Sequence, residues 1–454
     1  MTTYRPLGET GIECHPLGFG CYRVSDDDPV HADALAAYLD AGGNLIDTSA
    51  NYMDGDSEKL AGRVLRLRGR DRVVLVTKGG YIQGRNMTLA RERTFPEVLK
   101  FGDHMWHSIH PEFLETQVRL SLERLQTGYA DIYLLHNPEY FLEQNPGQHE
   151  EFYRRVTAAF RFLESEVAAG RIRWYGVSSN NYPTAAADRR HTSVAQTLAC
   201  AEEASASHHF RVVQLPLNLF ESGGALEANN DGKTVLEFCR ARGLGVLANR
   251  PLNAYHNNQL IRLADFLPPG ASPPGVEGLR VFLRPLAEHE QRLANELGGR
   301  LMGPGIGATL LDIVPRLQSV AHWEQAAGPH VIRPIQMWLA ECRRDLAGRP
   351  EWEQWQEEFI RLINGALESV QRHLMAAQQS VSDEARARLA RAGYPPSGES
   401  LSRLALNVLL GLEGLTCTLV GMRRAAYVEA ALGTVALERV PSLEILQRFA
   451  TEAA

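Results

Sequence analysis

Short apolar runs alternate with longer amphipathic stretches along most of this chain. The apolar runs are PLGFG around Gly18, NLID ending at Asp47, VVLVTK ending at Lys78 and DIYLLH ending at His136. They continue with IRWYGV ending at Val177, VVQLPL around Gln214, LGVLANR ending at Arg250 and CTLVG ending at Gly421. Each is near-continuously apolar rather than alternating, which suits parallel strands covered on both faces. Between them lie helical patterns. PEFLETQVRLSLERL sets Phe113, Val118, Leu122 and Leu125 on one side and carries Pro111 at its first turn; AAYLDAGG and EFCRARGLG both close on glycine. Eight strand–helix alternations predict an α/β fold, a (β/α)8 TIM barrel whose active site lies at the C-terminal strand ends. A doubly wound sheet is the rival. No GxGxxG follows the first strand, which weakens it.

The rhythm breaks once. About 165 residues separate Arg250-Pro251 from the last strand at Cys417, far more than one helix and its loops require. The proline- and glycine-rich FLPPGASPPG (Phe266 to Gly275) opens the stretch. Trp352, Trp355, Phe359, Ile363, Leu367, Val370 and Leu374 then recur at helical spacing. VSDEARARLARAG predicts a further helix capped by Ser382 or Asp383, and YPPSGES (Tyr394 to Ser400) precedes the helix LSRLALNVLL. The expected organisation is a barrel over 1–265, a helical insertion over 266–399 and the last barrel helix-strand-helix over 400–454. The stripe of Trp352, Trp355 and Phe359 is too large to leave in water. It predicts that the insertion packs over the barrel mouth or, as the alternative, forms a subunit contact, which would make the protein a homo-oligomer.

Composition narrows the function classes. Of 454 residues, 22% are charged and the net charge is −7, so no global field draws nucleic acid or an anionic membrane. No apolar stretch approaches the ~20 residues that span a bilayer, and the N-terminus lacks a signal-peptide layout. Six scattered cysteines with no CxxC read as reduced thiols of a cytoplasmic protein and give no metal site.

Four residues carry the chemistry: Asp47 and Tyr52 in LIDTSANY, Lys78 in VVLVTKGG and His136 in DIYLLHNPE. Carboxylate, phenol, amine and imidazole at successive strand ends make a proton-transfer site. The ordered set of Asp-Thr-x-x-x-Tyr, GxSE (Gly55, Ser57, Glu58), Thr77-Lys78, LLHNP, GVSSNNYP from Gly176 and Gln214 in VVQLPLN resembles the aldo-keto reductase superfamily, over 1–265 and 400–454. The insertion lies outside the resemblance.

The resemblance implies an oxidoreductase that moves a hydride between NADP(H), with NAD(H) as the alternative, and a small-molecule aldehyde, ketone or sugar hemiacetal. Tyr52 becomes the general acid and base. Lys78 is expected to lower its pKa, Asp47 to hold Lys78 charged, and His136 to fix the carbonyl oxygen. Ser178, Ser179, Asn180 and Gln214 are implied to bind the nicotinamide carboxamide. Asn249-Arg250 stands where an aromatic normally stacks on the ring, so Arg250 is expected at the pyrophosphate or over the ring. Gly421, Arg423 and Arg424 open the last barrel helix as a phosphate cradle, with Arg423 at the position that pairs a 2′-phosphate. Glu139 and Tyr140 follow His136 and are expected first as solvated loop residues, with reach to the substrate mouth as the alternative; the long Gly80–His110 segment is expected over that mouth. The drifted cofactor contacts also allow a nucleotide-binding regulatory barrel without efficient turnover.

Overall fold

The computed structural model describes residues 4–256, 259–267, 276–296, 305–317 and 320–452. Eight parallel strands close a barrel in simple sequence order. They are β1 (Leu17–Gly20), β2 (Leu45–Asp47), β3 (Val74–Gly79), β4 (Ala130–His136), β5 (Ile172–Ser178), β6 (Phe210–Pro216), β7 (Gly245–Asn249) and β8 (Cys417–Val420). A short hairpin, Arg5–Pro6 with Glu13–Cys14, precedes them. It supplies Leu7 and Cys14 to an apolar cluster with Leu45, Val76, Ile132, Leu134, Val212, Leu247 and Leu419. Strand–helix contacts form a second cluster, in which Leu35 and Tyr38 of helix Pro29–Asp40 meet Leu60 and Val64 of helix Asp56–Arg68.

Two glycines set local geometry. A Cβ on Gly18 would lie 2.9 Å from both Leu45 and Leu419, so β1 has no room inside for a side chain. A Cβ on Gly176 would sit 1.9 Å from the Val212 carbonyl, where the register between β5 and β6 shifts.

The chain divides into two compact units, 1–263 with 388–454, and 264–387. The sequence reading closed the insertion at 399; residues 388–399 instead pack in the barrel unit. Arg388 donates to the Phe449 carbonyl at 2.6 Å with its guanidinium 4.0 Å from that ring, and Asn407 donates to the Tyr394 hydroxyl at 2.9 Å. The expected caps at Ser382 and Asp383 also fail. One helix runs from Pro350 to Arg391, because no glycine or proline interrupts 366–392. It ends where Gly393 takes φ +97°. Ser382 lies inside it and donates to the Ala264 carbonyl at 2.6 Å.

The second unit has its own core. Trp355 stacks on Phe359 at 5.0 Å, on Trp352 at 5.3 Å and on His289 at 4.7 Å. Glu290 accepts the first backbone N–H groups of helix Ile306–Ile313, from Ile306 at 3.0 Å and Gly307 at 2.9 Å. The aromatic stripe is therefore buried against its own helices, with Leu283, Leu286, Leu310, Val331 and Trp338. Residues 268–275 of the proline-rich linker lie outside the described residues.

Candidate active site

The loop after β2 presents Tyr52. Ala50 N–H reaches the Lys78 carbonyl of β3 at 3.3 Å, and Tyr52 N–H reaches the Ser49 carbonyl at 3.1 Å. A tight turn, Tyr52–Gly55, follows, with Met53 and Asp54 at φ 48° and 56° and Gly55 at 88°. The glycine is required: a Cβ there would meet Arg124 at 2.7 Å. Arg124 is held by Glu58, fully buried in the next helix, which accepts from Arg124 Nε at 2.6 Å and from Thr77 Oγ1 at 2.5 Å. The GxSE stretch thus fixes the residue beside Lys78 on β3.

Lys78 is wholly buried. Its Nζ donates to Asp47 Oδ2 at 2.8 Å, to the Thr48 carbonyl at 3.0 Å and to Tyr52 Oη at 3.2 Å. The ammonium has three N–H groups, and all three have acceptors. Tyr52 accepts here, so its own O–H stays available to another oxygen. Burial alone would lower the Lys78 pKa; the charge and hydrogen bond of Asp47, with Tyr52, outweigh it and raise the pKa. The ammonium therefore persists.

Lys78 pulls the Tyr52 pKa down as expected, but the net shift is upward. Burial dominates and pushes the phenol up to about 12, although the Lys78 charge and hydrogen bond pull the other way. Tyr52 is therefore a protonated phenol throughout the neutral range.

His136 ends β4. Its ring meets Tyr52 edge-to-face at 5.8 Å and Tyr81 at 4.7 Å. Burial, then Lys78, pushes its pKa well below the usual imidazole range, so the ring is neutral. Ser49 Oγ lies 3.0 Å from Nδ1. That hydroxyl also reaches Asn51 Oδ1 at 2.7 Å; when its one proton turns to Nδ1 instead, the ring proton sits on Nε2 and can be donated to a substrate oxygen. His107 Nε2 binds the His136 carbonyl at 2.8 Å, and Asn137 donates to the Tyr81 hydroxyl at 2.8 Å. His107 belongs to a small antiparallel sheet within Gly80–His110 (Tyr81–Ile82, Leu99–Lys100, Trp106–His107). Ser49, Tyr81 and Tyr22, whose ring lies 5.3 Å from Tyr52, were not singled out in the sequence. Ser49 sits inside the Asp47–Tyr52 motif and Tyr81 three residues past Lys78, so closeness to the motifs was the available signal.

Beyond β4 the expected cofactor residues are less uniformly placed. Ser178 and Gln214, adjacent in register on β5 and β6, hydrogen-bond at 3.0 Å, and Gln214 Nε2 donates to Asp47 Oδ1 at 2.8 Å. That bond joins them to the proton-transfer group. Ser179 Oγ instead meets Thr192 Oγ1 at 3.0 Å and accepts from Asn181 N–H at 3.1 Å. Asn180 N–H donates to Glu139 Oε1 at 2.7 Å. Glu139 is 3% exposed, which corrects its reading as a solvated loop residue. Arg250, at φ 53°, pairs with Glu221 at 2.6 Å and lies 5.3 Å from the Tyr255 ring. Its Nε and the neighbouring Asn249 Oδ1 are buried without a partner. Gly421 follows β8, and Arg423 and Arg424 directly precede helix Ala425–Gly433.

A closed eight-stranded barrel with these side chains at its C-terminal rim is an α/β enzyme-type architecture. The chain belongs to the aldo/keto reductase family, whose pattern it matches over residues 16–256. It is 31% identical over 140 residues to the NADH-specific methylglyoxal reductase of Escherichia coli K12, covering 29% of this chain and 40% of that protein. Aldo-keto reductase YhdN of Bacillus subtilis is 30% identical over 185 residues, covering 39% of this chain and 46% of that protein. The chain thus spans less than half the length of either relative. The holo form of aldo-keto reductase AKR11C1 from Bacillus halodurans aligns with 99% of this chain and 96% of its own, with a TM-score of 0.52 at 15% identity. That likeness concerns the fold.

Proposed function

We propose that this protein is an NADP(H)-dependent oxidoreductase that reduces an aldehyde, ketone or sugar hemiacetal, with Tyr52 as the general acid. The observation that carries the reading is Lys78 bridging Asp47 and Tyr52 at 2.8 and 3.2 Å, beside a neutral His136.

The residues present suit a nicotinamide nucleotide. Arg423 and Arg424 have no ion pair among the described residues and stand where a helix N-terminus favours phosphate. The buried orphan atoms Glu139 Oε2, Asn249 Oδ1 and Arg250 Nε lie on the loops and strand ends after β4 and β7, where a ligand would supply their partners. Ser178, Ser179, Asn180 and Gln214 would face the nicotinamide end, Arg250 the pyrophosphate, and Gly421, Arg423 and Arg424 the adenosine phosphate. NAD(H) remains the alternative, the cofactor named for the Escherichia coli relative.

When bound, the reduced nicotinamide supplies the hydride to the carbonyl carbon. The chain's own groups manage the oxygen. His136 Nε2–H holds it, and Tyr52 gives it the phenolic proton as negative charge develops. The resulting phenolate keeps its hydrogen bond from the Lys78 ammonium, and Asp47 keeps that ammonium charged. In the reverse direction the phenolate takes the alcohol proton.

Tyr52→Phe tests the assignment, because a positioned general acid is worth about 10²–10⁴-fold. Carbonyl reduction with NADPH should fall by at least ~100-fold while nucleotide binding, followed by fluorescence, is kept. Undiminished turnover overturns the acid role. Wild-type chain that binds nucleotide yet reduces no carbonyl or aldose would favour the regulatory barrel.

A further inference from the structure

A carbonyl oxygen offers lone pairs and no proton, so the group that holds it must donate. In the reading above that group is Nε2 of His136. A neutral imidazole carries its ring proton on one nitrogen only, and burial, Lys78 and His107 keep this ring neutral. The partner of one nitrogen decides where the proton sits. Nδ1 has a single hydrogen-bond partner among the described residues, Ser49 Oγ at 3.0 Å. Tyr52 and Tyr81 meet the ring only edge-to-face, and His107 binds the His136 main-chain carbonyl, not the ring.

Ser49 is buried and brings one proton to three acceptors. Asn51 Oδ1 lies at 2.7 Å, His136 Nδ1 at 3.0 Å and the Lys78 carbonyl at 3.4 Å. Asn51 is itself oriented: its Nδ2 donates to Gln83 Oε1 at 3.2 Å, which turns Oδ1 toward Ser49. With the hydroxyl proton on Asn51, the Ser49 oxygen faces Nδ1 as an acceptor, and two buried acceptors facing each other are costly. Nδ1 then carries the ring proton, and Nε2 is bare. We propose that Asn51, acting through Ser49, is a positioning residue that keeps the resting His136 proton on Nδ1, so that Ser49 must turn from Asn51 to Nδ1 before Nε2 can donate to a carbonyl oxygen; this rests on the carbonyl-reduction reading above.

The two arrangements suit different oxygens. Bare Nε2 accepts the O–H of an alcohol; protonated Nε2 donates to a carbonyl. The change between them leaves the ring neutral: Nδ1 releases one proton to water, Nε2 takes one up, and the Ser49 hydroxyl turns. The long segment after β3 bears on this ring twice. Its Tyr81 packs against the ring at 4.7 Å, and its Gln83 orients the Asn51 amide.

Long-range 1H–15N spectra of the full chain, labelled at histidine, report which ring nitrogen is protonated. The His136 signal is assigned by its absence from His136→Gln. Ligand-free wild type should show the proton on Nδ1. Asn51→Ala frees the Ser49 hydroxyl for Nδ1 and should move the ring proton to Nε2. Ser49→Ala removes the acceptor of Nδ1–H and should move it the same way. Asn51→Ala should also lower the KM for a carbonyl by roughly two- to tenfold, the scale of one neutral hydrogen bond, and more than it changes kcat. A mere loop brace would lower the thermal midpoint and leave the proton in place. A wild-type ring protonated on Nε2, a proton that stays on Nδ1 in either folded variant, or a carbonyl KM that does not fall overturns the inference alone. Wild type that reduces no carbonyl overturns the functional reading, and the role given to Nε2 with it.

Discussion

The two halves of the barrel rim are built on different terms. From β2 to β4, Asp47, Tyr52, Lys78 and His136 are held by one another and by the backbone, and every Lys78 donor has a protein acceptor. From β5 to β8 only Ser178 and Gln214 join that network; farther round, polar groups are tied to loops, as with Arg250 on Glu221, or left open, as with Asn249 Oδ1. A proton-transfer group must be poised before substrate arrives, so its partners belong to the protein. A nucleotide-binding surface completes its hydrogen bonds with the ligand. The first half should therefore respond to substitution in both stability and activity, and the second in ligand affinity alone.

The largest expected effect is that of Lys78→Met. It leaves the buried Asp47 carboxylate with only Gln214 as a side-chain donor, and removing one partner of a buried pair costs about 3–5 kcal/mol. Urea unfolding should show a loss near the lower figure, since Gln214 remains, and turnover should fall by about 10³-fold or more. A variant of unchanged stability would erase the contrast between the halves.

Asp47→Asn probes the same pair through pH. The Lys78 pKa is raised chiefly by Asp47 acting against burial. A lysine raised in this way contributes stability that is complete below its ordinary value and is lost as pH rises through the folded value. Without Asp47, burial prevails and the pKa falls, so the alkaline loss of activity and stability should move to lower pH. pH–rate profiles and unfolding curves that superpose on wild type would show that Asp47 does not govern the ammonium.

Arg423→Ala with Arg424→Ala addresses the other half. A charge-assisted hydrogen bond to phosphate is worth about 1.5–3 kcal/mol, so the NADPH Michaelis constant should rise tenfold or more while that for NADH stays near its starting value. Equal shifts would remove the 2′-phosphate assignment. The thermal midpoint should hold, because neither side chain has an ion pair among the described residues.

Legibility in the sequence followed the same division. The barrel was readable because its strands are buried on both faces and so write near-continuous apolar runs. The proton-transfer residues were readable because the strand ends fix their spacing. Four things were not. The sign of the Tyr52 shift depends on burial outweighing a neighbouring charge, and a motif does not record burial. The insertion's boundary depended on Arg388 docking at Phe449, a contact between residues 61 apart. Its aromatic stripe announced a buried face without naming the partner, which proved to be the unit's own helices. Glu139 looked like a solvated loop residue because Asn180, the group that buries it, comes 41 residues later.

The smallest expected effect decides what Arg250 is for. Its pair with Glu221 is partly exposed, at 30% and 16% of the side chains, and such pairs contribute roughly 0–1 kcal/mol. Glu221 also accepts from Asn218 at 2.8 Å and from the Tyr255 backbone at 3.1 Å, so it braces the loop after β7 whatever Arg250 does. If the guanidinium serves the pyrophosphate, Glu221 competes with the ligand for it. Glu221→Gln keeps the brace and removes the charge. It should therefore tighten nucleotide binding by a few-fold, on the order of that pair energy, and Arg250→Ala should weaken binding by more. A purely structural pair behaves otherwise: both variants lower the thermal midpoint by similar small amounts and leave the dissociation constant unchanged. Opposite signs in binding would assign Arg250 to the ligand-completed half of the rim, and equal losses in stability would assign it to the self-completed half.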